Sequence, residues 1–306
     1  MTAENPTTAA VAHASAHKLF SFRRTAAIAV NTFRDLVRQK VFYFMLVFAL
    51  ILIGTSLGVA SLSFQGQLQT VMDVCLGAMS VFTMLLAVLS TAMLLPKDME
   101  DRTLYTILAK PVSRFEYLAG KLAGVTTILL VATLLMTAAF CLVLHFWQGR
   151  EIENILLTEP AERAPAAIAA LKAGTFTPTV FGAIGVIFLR SVVCATLTLM
   201  LSCFATSWLF TVIVAFMMII AGHLVPIARS AWLGPLGSAD VPFHFAILLR
   251  LITVFVPDMQ LFNVVDDIAG GVAVPGEIFL RIAGLGAGYI AVYLLVGYLF
   301  FAWREL

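Results

Sequence analysis

Long runs without a charged residue constrain this chain most. Five runs of more than 20 residues contain no Asp, Glu, Lys or Arg, and they lie between Lys40 and Asp73, Asp73 and Lys97, Lys121 and Arg150, Arg190 and Arg229, and Arg281 and Arg304. A helix that crosses a bilayer needs about 20 predominantly apolar residues. Each run is therefore long enough for at least one membrane span.

The fourth run is part of a stretch that is too long for one span. Between Ala173 and Ala228 the only charged residue is Arg190, and the small and polar cluster 202–207 divides the stretch in two. We therefore predict six spans, at 41–63, 74–96, 119–146, 179–203, 208–228 and 281–303. The predicted fold class is an all-α integral membrane protein with a six-helix transmembrane bundle.

Composition agrees with a membrane protein and excludes several soluble classes. Hydrophobic residues make up 61% of the 306-residue chain and charged residues 12%, whereas soluble chains average about 25% charged residues. The net charge of +2 is too small for the basic face that nucleic-acid binding requires. The four cysteines lie in apolar runs without the spacing of metal ligands, so we expect neither a nucleic-acid partner nor a metal site.

The distribution of Lys and Arg predicts the orientation. Most of these residues lie before the first span, between the second and third spans, and after the last span. Since Lys and Arg are enriched in cytoplasmic segments, both termini are expected in the cytoplasm. Residues 1–18 then form a disordered cytoplasmic tail, and 147–178 and 229–280 are external loops, of which 147–178 is long enough to form a small helical cap.

Two segments outside the spans have the character of interfacial helices. The stretch 19–40 is amphipathic, and its apolar residues recur at helical spacing at Phe22, Ala26, Val30, Phe33 and Val37. Such an elbow helix lies along the lipid surface, although a solvated juxtamembrane helix is the alternative. The apolar segment 241–257 is short, has a proline near each end and contains Arg250, which favours an external re-entrant or interfacial helix over a seventh span.

The charged loop 97–118 carries the signals of two helix ends. Acidic residues at 98, 100 and 101 suit the first turn of a helix, and Pro111 stops that helix. Ser113 and Glu116 then have the spacing of a capping box, which predicts a new helix from Arg114. That helix can continue through Phe146 for about 50 Å, which exceeds the bilayer core. Such a lever suits a partner that delivers force, although a solvated loop helix is the alternative.

The same loop resembles a known family. The run 100–121 (EDRTLYTILAKPVSRFEYLAGK) is similar to the cytoplasmic loop of bacterial ATP-binding-cassette permeases of the second (type-2) exporter class, such as sodium-efflux permeases and the permease of nitrous oxide reductase maturation. Segments 255–263 and 300–306 also resemble their counterparts in that family, and the similarity extends over about 20–306. In the family this loop is the coupling helix, which sits in a groove of the ATPase subunit.

The resemblance implies partners and contact residues. Two copies, or one copy and a homologue, would pair with separate ATPase subunits, and the residues expected at the ATPase are Glu100, Arg102, Thr103, Leu104, Leu108 and Arg114. The chain has no Gly-x-x-x-x-Gly-Lys-[Ser/Thr] phosphate loop. ATP and Mg²⁺ are therefore expected on the partner, and this chain is expected to be a non-catalytic subunit without a cofactor of its own. Its function would be ATP-driven export of an unidentified substrate across the bacterial cytoplasmic membrane.

Two alternatives and two further patterns accompany this prediction. An ion-gradient transporter would predict an internal repeat and carboxylates within the spans, and neither occurs; a mechanical scaffold of an ABC-type complex is not separable by sequence. Arg190 lies within a span, which predicts an intramembrane polar site: either a contact to an anionic substrate or an interhelical ion pair, with Asp73 near the outer end of another span as a possible partner. A snorkelling arginine and a later start of span four are the alternatives. Gly-x-x-x-Gly spacings at Gly54, Gly120 and Gly284 allow close helix packing.

Overall fold

The computed structural model describes residues 21–62, 66–100, 113–205, 207–233, 256–263 and 275–303. Within these ranges the protein is helical and contains no strand. In chain order the α-helices are α1 (Phe22–Val37), α2 (Lys40–Ser61), α3 (Gln67–Ala92), α4 (Leu94–Glu100), α5 (Arg114–Thr158), α6 (Ala164–Thr175), α7 (Pro178–Phe204), α8 (Trp208–Leu233) and α9 (Gly276–Trp303). A short 3-10 helix covers Met259–Phe262.

Six of the described helical segments are long and apolar enough to cross a membrane. They include α2, α3, α5, α7, α8 and α9. The predicted all-α class with six spans is therefore confirmed, and the chain is a multi-pass membrane protein.

Helix α7 is the centre of the bundle. In its segment 78% of the most apolar window is buried inside the protein, compared with 22% in α2 and 22% in α9. It packs against α3, α5, α8 and α9. A helix that is apolar on all sides is stable in this position because every face meets another helix. Helices α2 and α9 instead leave large apolar side chains exposed, as expected for surfaces that face lipid or another subunit.

Helix α5 is longer than the predicted lever. It runs without interruption over 45 residues, which corresponds to about 68 Å. Twelve of these residues follow Phe146, so about 18 Å of helix continues where the sequence predicts an external loop. Helix α6 packs back against α5, and together they form a helical hairpin at this end of the bundle. We refer to this end as the hairpin end, and to the opposite end, where α4 meets the start of α5, as the loop end.

Helix α1 packs closely on α5 through two glycines. A Cβ atom at Gly124 would lie 2.6 Å from Cβ of Thr32, and one at Gly120 would lie 2.8 Å from Cβ of Ile28. Close approach of the two backbones therefore requires the predicted Gly120-x-x-x-Gly124 pair. The other two pairs, which begin at Gly54 and Gly284, have no atom within 4 Å of a Cβ built at either glycine.

Several predicted features lie outside the described residues. These are the N-terminal tail, most of the coupling helix including Arg102, Thr103, Leu104 and Leu108, the segment 241–255, and residues 264–274. For them the sequence-based predictions stand as predictions.

Candidate functional site: a junction at the loop end and a polar cavity in the bundle

The first two turns of α5 connect three other helices at the loop end. We call this region the junction and define it by Asp98, Arg114, Glu116, Tyr117 and Lys121. Glu116 and Tyr117 are fully buried, and Lys121 is 5% exposed. Charged groups with so little exposure need partners within the protein, and each has one.

Glu116 joins the start of α5 to the start of α1. The predicted capping box is confirmed, since the Glu116 N–H donates to Oγ of Ser113 (3.1 Å) and the Ser113 N–H donates to Oε2 of Glu116 (2.9 Å). The second carboxylate oxygen accepts a hydrogen bond from the N–H of Ser21, at the N-terminus of α1. Nη1 of Arg24 lies 4.0 Å from Oε2. Burial by itself raises the pKa of Glu116, but the two backbone donors and the Arg24 charge outweigh it and lower the pKa.

Asp98 joins α4 to α5. Nζ of Lys121 lies 2.6 Å from Oδ2 of Asp98, and the Tyr117 hydroxyl donates a hydrogen bond to the same oxygen. Burial and the adjacent carboxylate raise the pKa of Tyr117, so the phenol stays protonated and remains a donor. Asp98 thus has two partners on α5, the Lys121 cation and the Tyr117 hydroxyl. Charge-assisted hydrogen bonds of this kind stabilise a carboxylate of low exposure.

Arg114 and Tyr117 join α5 to the end of α9. Nη1 of Arg114 donates to the carbonyl oxygens of Phe301 (2.8 Å) and Ala302 (2.6 Å). A cation at the C-terminus of a helix is favourable because the last carbonyls lack helical partners and carry partial negative charge. The rings of Tyr117 and Phe301 stack with centroids 5.8 Å apart.

The predicted ATPase contacts fall into two groups. Glu100 is exposed at the end of α4, and Arg114 lies in the junction, whereas the other four lie outside the described residues. The prediction that Asp98 and Glu100 begin a helix is wrong, because both lie in the last turn of α4, which begins at Leu94. Sequence reasoning did not single out Asp98, Tyr117 and Lys121 as partners. A signal for them exists, because Arg114, Tyr117 and Lys121 follow the i, i+3, i+7 spacing of one helix face.

A second polar region lies inside the bundle, around Arg190 of α7. Arg190 is 9% exposed, and its Nη1 donates to Oγ of Ser80 on α3 (3.0 Å). Its Nη2 lies 2.9 Å from Nε2 of His223 on α8. A cavity of about 370 Å³ adjoins it, lined by Gln69, Asp73, Gly77, Ser80, Val81, Arg190 and Asn263. The structure therefore brings the predicted pair Arg190 and Asp73 to one cavity.

Neither region has the make-up of a catalytic or metal centre. In the described ranges, no group of three or more His, Cys, Asp and Glu side chains could hold a metal ion. The junction consists of ion pairs of low exposure and helix caps that fix helices to one another.

Comparison with protein families gives one match over most of the chain. The family described as "ABC-2 family transporter protein" matches residues 26–306, from α1 to the C-terminus. Comparison with curated proteins gives no match. Proteins of the matched family are membrane components of ABC transporters that generally work with an ATPase subunit, and the six apolar helices agree with that architecture. The chain belongs to the ABC-2 transporter family and is a membrane permease of an ABC transporter.

Proposed function

We propose that this chain couples ATP hydrolysis on a separate ATPase subunit to export of a substrate across the cytoplasmic membrane. The observation that carries the proposal is the pair Lys121 and Asp98, whose charged atoms lie 2.6 Å apart. Asp98 lies near the start of the coupling loop 97–118 and Lys121 follows the loop, so the pair fixes the start of the loop to α5, the helix that continues from its end. In this proposal ATP and Mg²⁺ bind the ATPase, and this subunit performs no chemistry.

The junction provides a path for the motion. When the ATPase moves the coupling loop 97–118, the displacement reaches α5 through Asp98, α1 through Glu116 and α9 through Arg114. Because interiors are close-packed, linked helices shift together instead of deforming separately. Helix α5 then carries the motion along its full length towards the hairpin end.

The proposed orientation places the junction in the cytoplasm. Two copies, or one copy and a homologue, would form the translocation path, with α1 on the lipid surface. Phe22 and Val30 of α1 are 80% and 50% exposed, and both belong to the predicted apolar stripe. Their exposure supports contact between this elbow helix and lipid.

Replacing Leu104 and Leu108 by Asp tests the coupling role. We expect the double variant to insert into the membrane and to lose binding of the ATPase, because two carboxylates would enter an apolar contact. The matched control is Leu156→Asp with Leu157→Asp at the hairpin end, where the two side chains are 61% and 81% exposed. The control should retain ATPase binding. Normal assembly and normal ATPase stimulation by the L104D/L108D variant would exclude the proposed docking site.

Labelling of a single cysteine tests the orientation. In a variant without the four native cysteines, Lys97→Cys, at an exposed position of α4, should react with a membrane-impermeant maleimide only after the membrane is permeabilised. Glu153→Cys in the hairpin should react in intact spheroplasts. The reverse pattern would place the loop outside the cell, where no ATPase could reach it.

A further inference from the structure

The cavity beside Arg190 has the features of a ligand site. Arg190 is buried among membrane helices, yet the partners of its guanidinium group are the Ser80 hydroxyl, the Met84 sulfur and the His223 ring. Its Nε is buried and has no hydrogen-bond partner in the described part of the chain. A buried charge with an unused donor is costly, so an additional acceptor would stabilise it.

His223 does not neutralise this charge. A guanidinium group can only donate, so Nε2 of His223 accepts the hydrogen bond from Arg190. Nδ1 lies 2.9 Å from the carbonyl oxygen of Ile219, and a carbonyl can only accept, so Nδ1 carries the proton. With one proton the ring is neutral, so the partners that the described residues offer Arg190 carry no negative charge.

The cavity has a polar wall that leads to Arg190. Gln69, Asp73, Gly77 and Ser80 recur every three to four residues and therefore share one face of α3. This face descends from the start of the helix, and Asp73 lies about 10 Å along the axis from Ser80. This polar face leads to Arg190, and one acidic group is enough to pair with a single guanidinium group.

Position within the membrane favours a ligand with an apolar part. Ser80 lies six residues inside the predicted span that begins at 74, which corresponds to a depth of about 9 Å. A small hydrated anion is disfavoured at that depth. Val81, which is 50% exposed, supplies an apolar surface on the same cavity.

We propose that the cavity beside Arg190 binds an amphiphile through one acidic group, a phosphate or a carboxylate, that pairs with the guanidinium group. This proposal rests on the proposed export function, since it names the chemical class of molecule that the permease would accept. Binding to the isolated permease does not require the ATPase, so failure of the coupling proposal would leave the test of this site unaffected.

Thermal unfolding of the purified permease in a neutral detergent, titrated with dodecyl phosphate, tests the proposal. Dodecyl phosphate should raise the unfolding temperature of the wild-type protein in a saturable manner, and dodecanol should not. Inorganic phosphate alone should have no effect at the concentration at which dodecyl phosphate saturates. An equal shift of the unfolding temperature with dodecanol would show that the acidic group is irrelevant. An equal shift with inorganic phosphate would show that the apolar chain is irrelevant. Either result would overturn the proposal.

The variant Arg190→Met tests whether Arg190 binds the ligand or only stabilises the fold. The variant should unfold at the same temperature as the wild type or higher without ligand, because an unbalanced buried charge is removed. It should need at least tenfold more dodecyl phosphate for the same shift. Arg281→Met, which removes an exposed arginine on α9, should leave the titration unchanged. A wild-type titration curve for R190M would overturn the proposal, and if R190M does not fold, the three wild-type titrations decide it.

Discussion

Lys121 on α5 and Asp98 on α4 form a charge pair across residues 101–113 of the predicted coupling loop, with Nζ 2.6 Å from Oδ2. The side chains are 6% and 18% exposed. In a site of such low exposure, removal of one partner leaves the other charge uncompensated. The pair therefore stabilises the packing of α4 against α5.

Replacing either member of the pair should destabilise the protein. We expect Lys121→Met and Asp98→Asn each to lower the free energy of unfolding by about 3 kcal/mol. The double variant should lose less free energy of unfolding than the sum of the two single variants, because it leaves no unpaired charge behind. Denaturation in detergent measures the three values, with Lys97→Met as the exposed control. Strict additivity would show that the two residues do not interact.

The contact between α1 and α5 should not tolerate a larger residue at Gly124. A Cβ at this position would lie 2.6 Å from Cβ of Thr32, so Gly124→Ala must push the helices apart and should cost about 1–3 kcal/mol. Gly284→Ala is the matched control, because no atom lies within 4 Å of its Cβ position. That change should be neutral or slightly stabilising, since Ala favours helix more than Gly. Equal unfolding temperatures for the two variants would contradict the close packing.

Arg114 should stabilise the end of α9. Arg114→Gln removes a charged donor from the carbonyl oxygens of Phe301 and Ala302, which should cost about 2 kcal/mol. Hydrogen exchange of the backbone amides in 296–303 should become faster, whereas Arg23→Gln on the exposed side of α1 should leave it unchanged. Unchanged exchange combined with weaker ATPase binding would instead identify Arg114 as the ATPase contact that the family resemblance implies.

The contribution of Glu116 to stability should depend on pH. Its pKa is lowered in the folded protein, so its stabilising effect is fully present above the unfolded value of about 4.3. The effect is lost as the pH falls through the folded pKa, because the protonated acid no longer favours the N–H donors and Arg24. Glu116→Gln should therefore unfold at a lower temperature than the wild type at neutral pH, and the gap should close in acid. If the difference in unfolding temperature between the two proteins did not change with pH, the shape of the Glu116 side chain and not its charge would be responsible.

Local features of this protein follow from its sequence. Six spans and the all-α class are properties of apolar run length, since a helix in lipid must satisfy its own backbone hydrogen bonds. The start of α5 at Arg114 is also local, because Ser113 and Glu116 cap backbone groups within one turn. The length of α5 was underestimated because charged residues after Phe146 suggested a loop, whereas polar residues are also compatible with helix in water.

Only the tertiary structure decided which distant residues meet. Arg190 stands out in the sequence as a charge within a span, but its contacts with Ser80 and His223 depend on how α3 and α8 pack around α7. Lys121 reaches Asp98 because the packing of the bundle places the last turn of α4 beside the first turns of α5. Spacing along one helix specifies a face, and side-chain packing between helices decides what that face contacts.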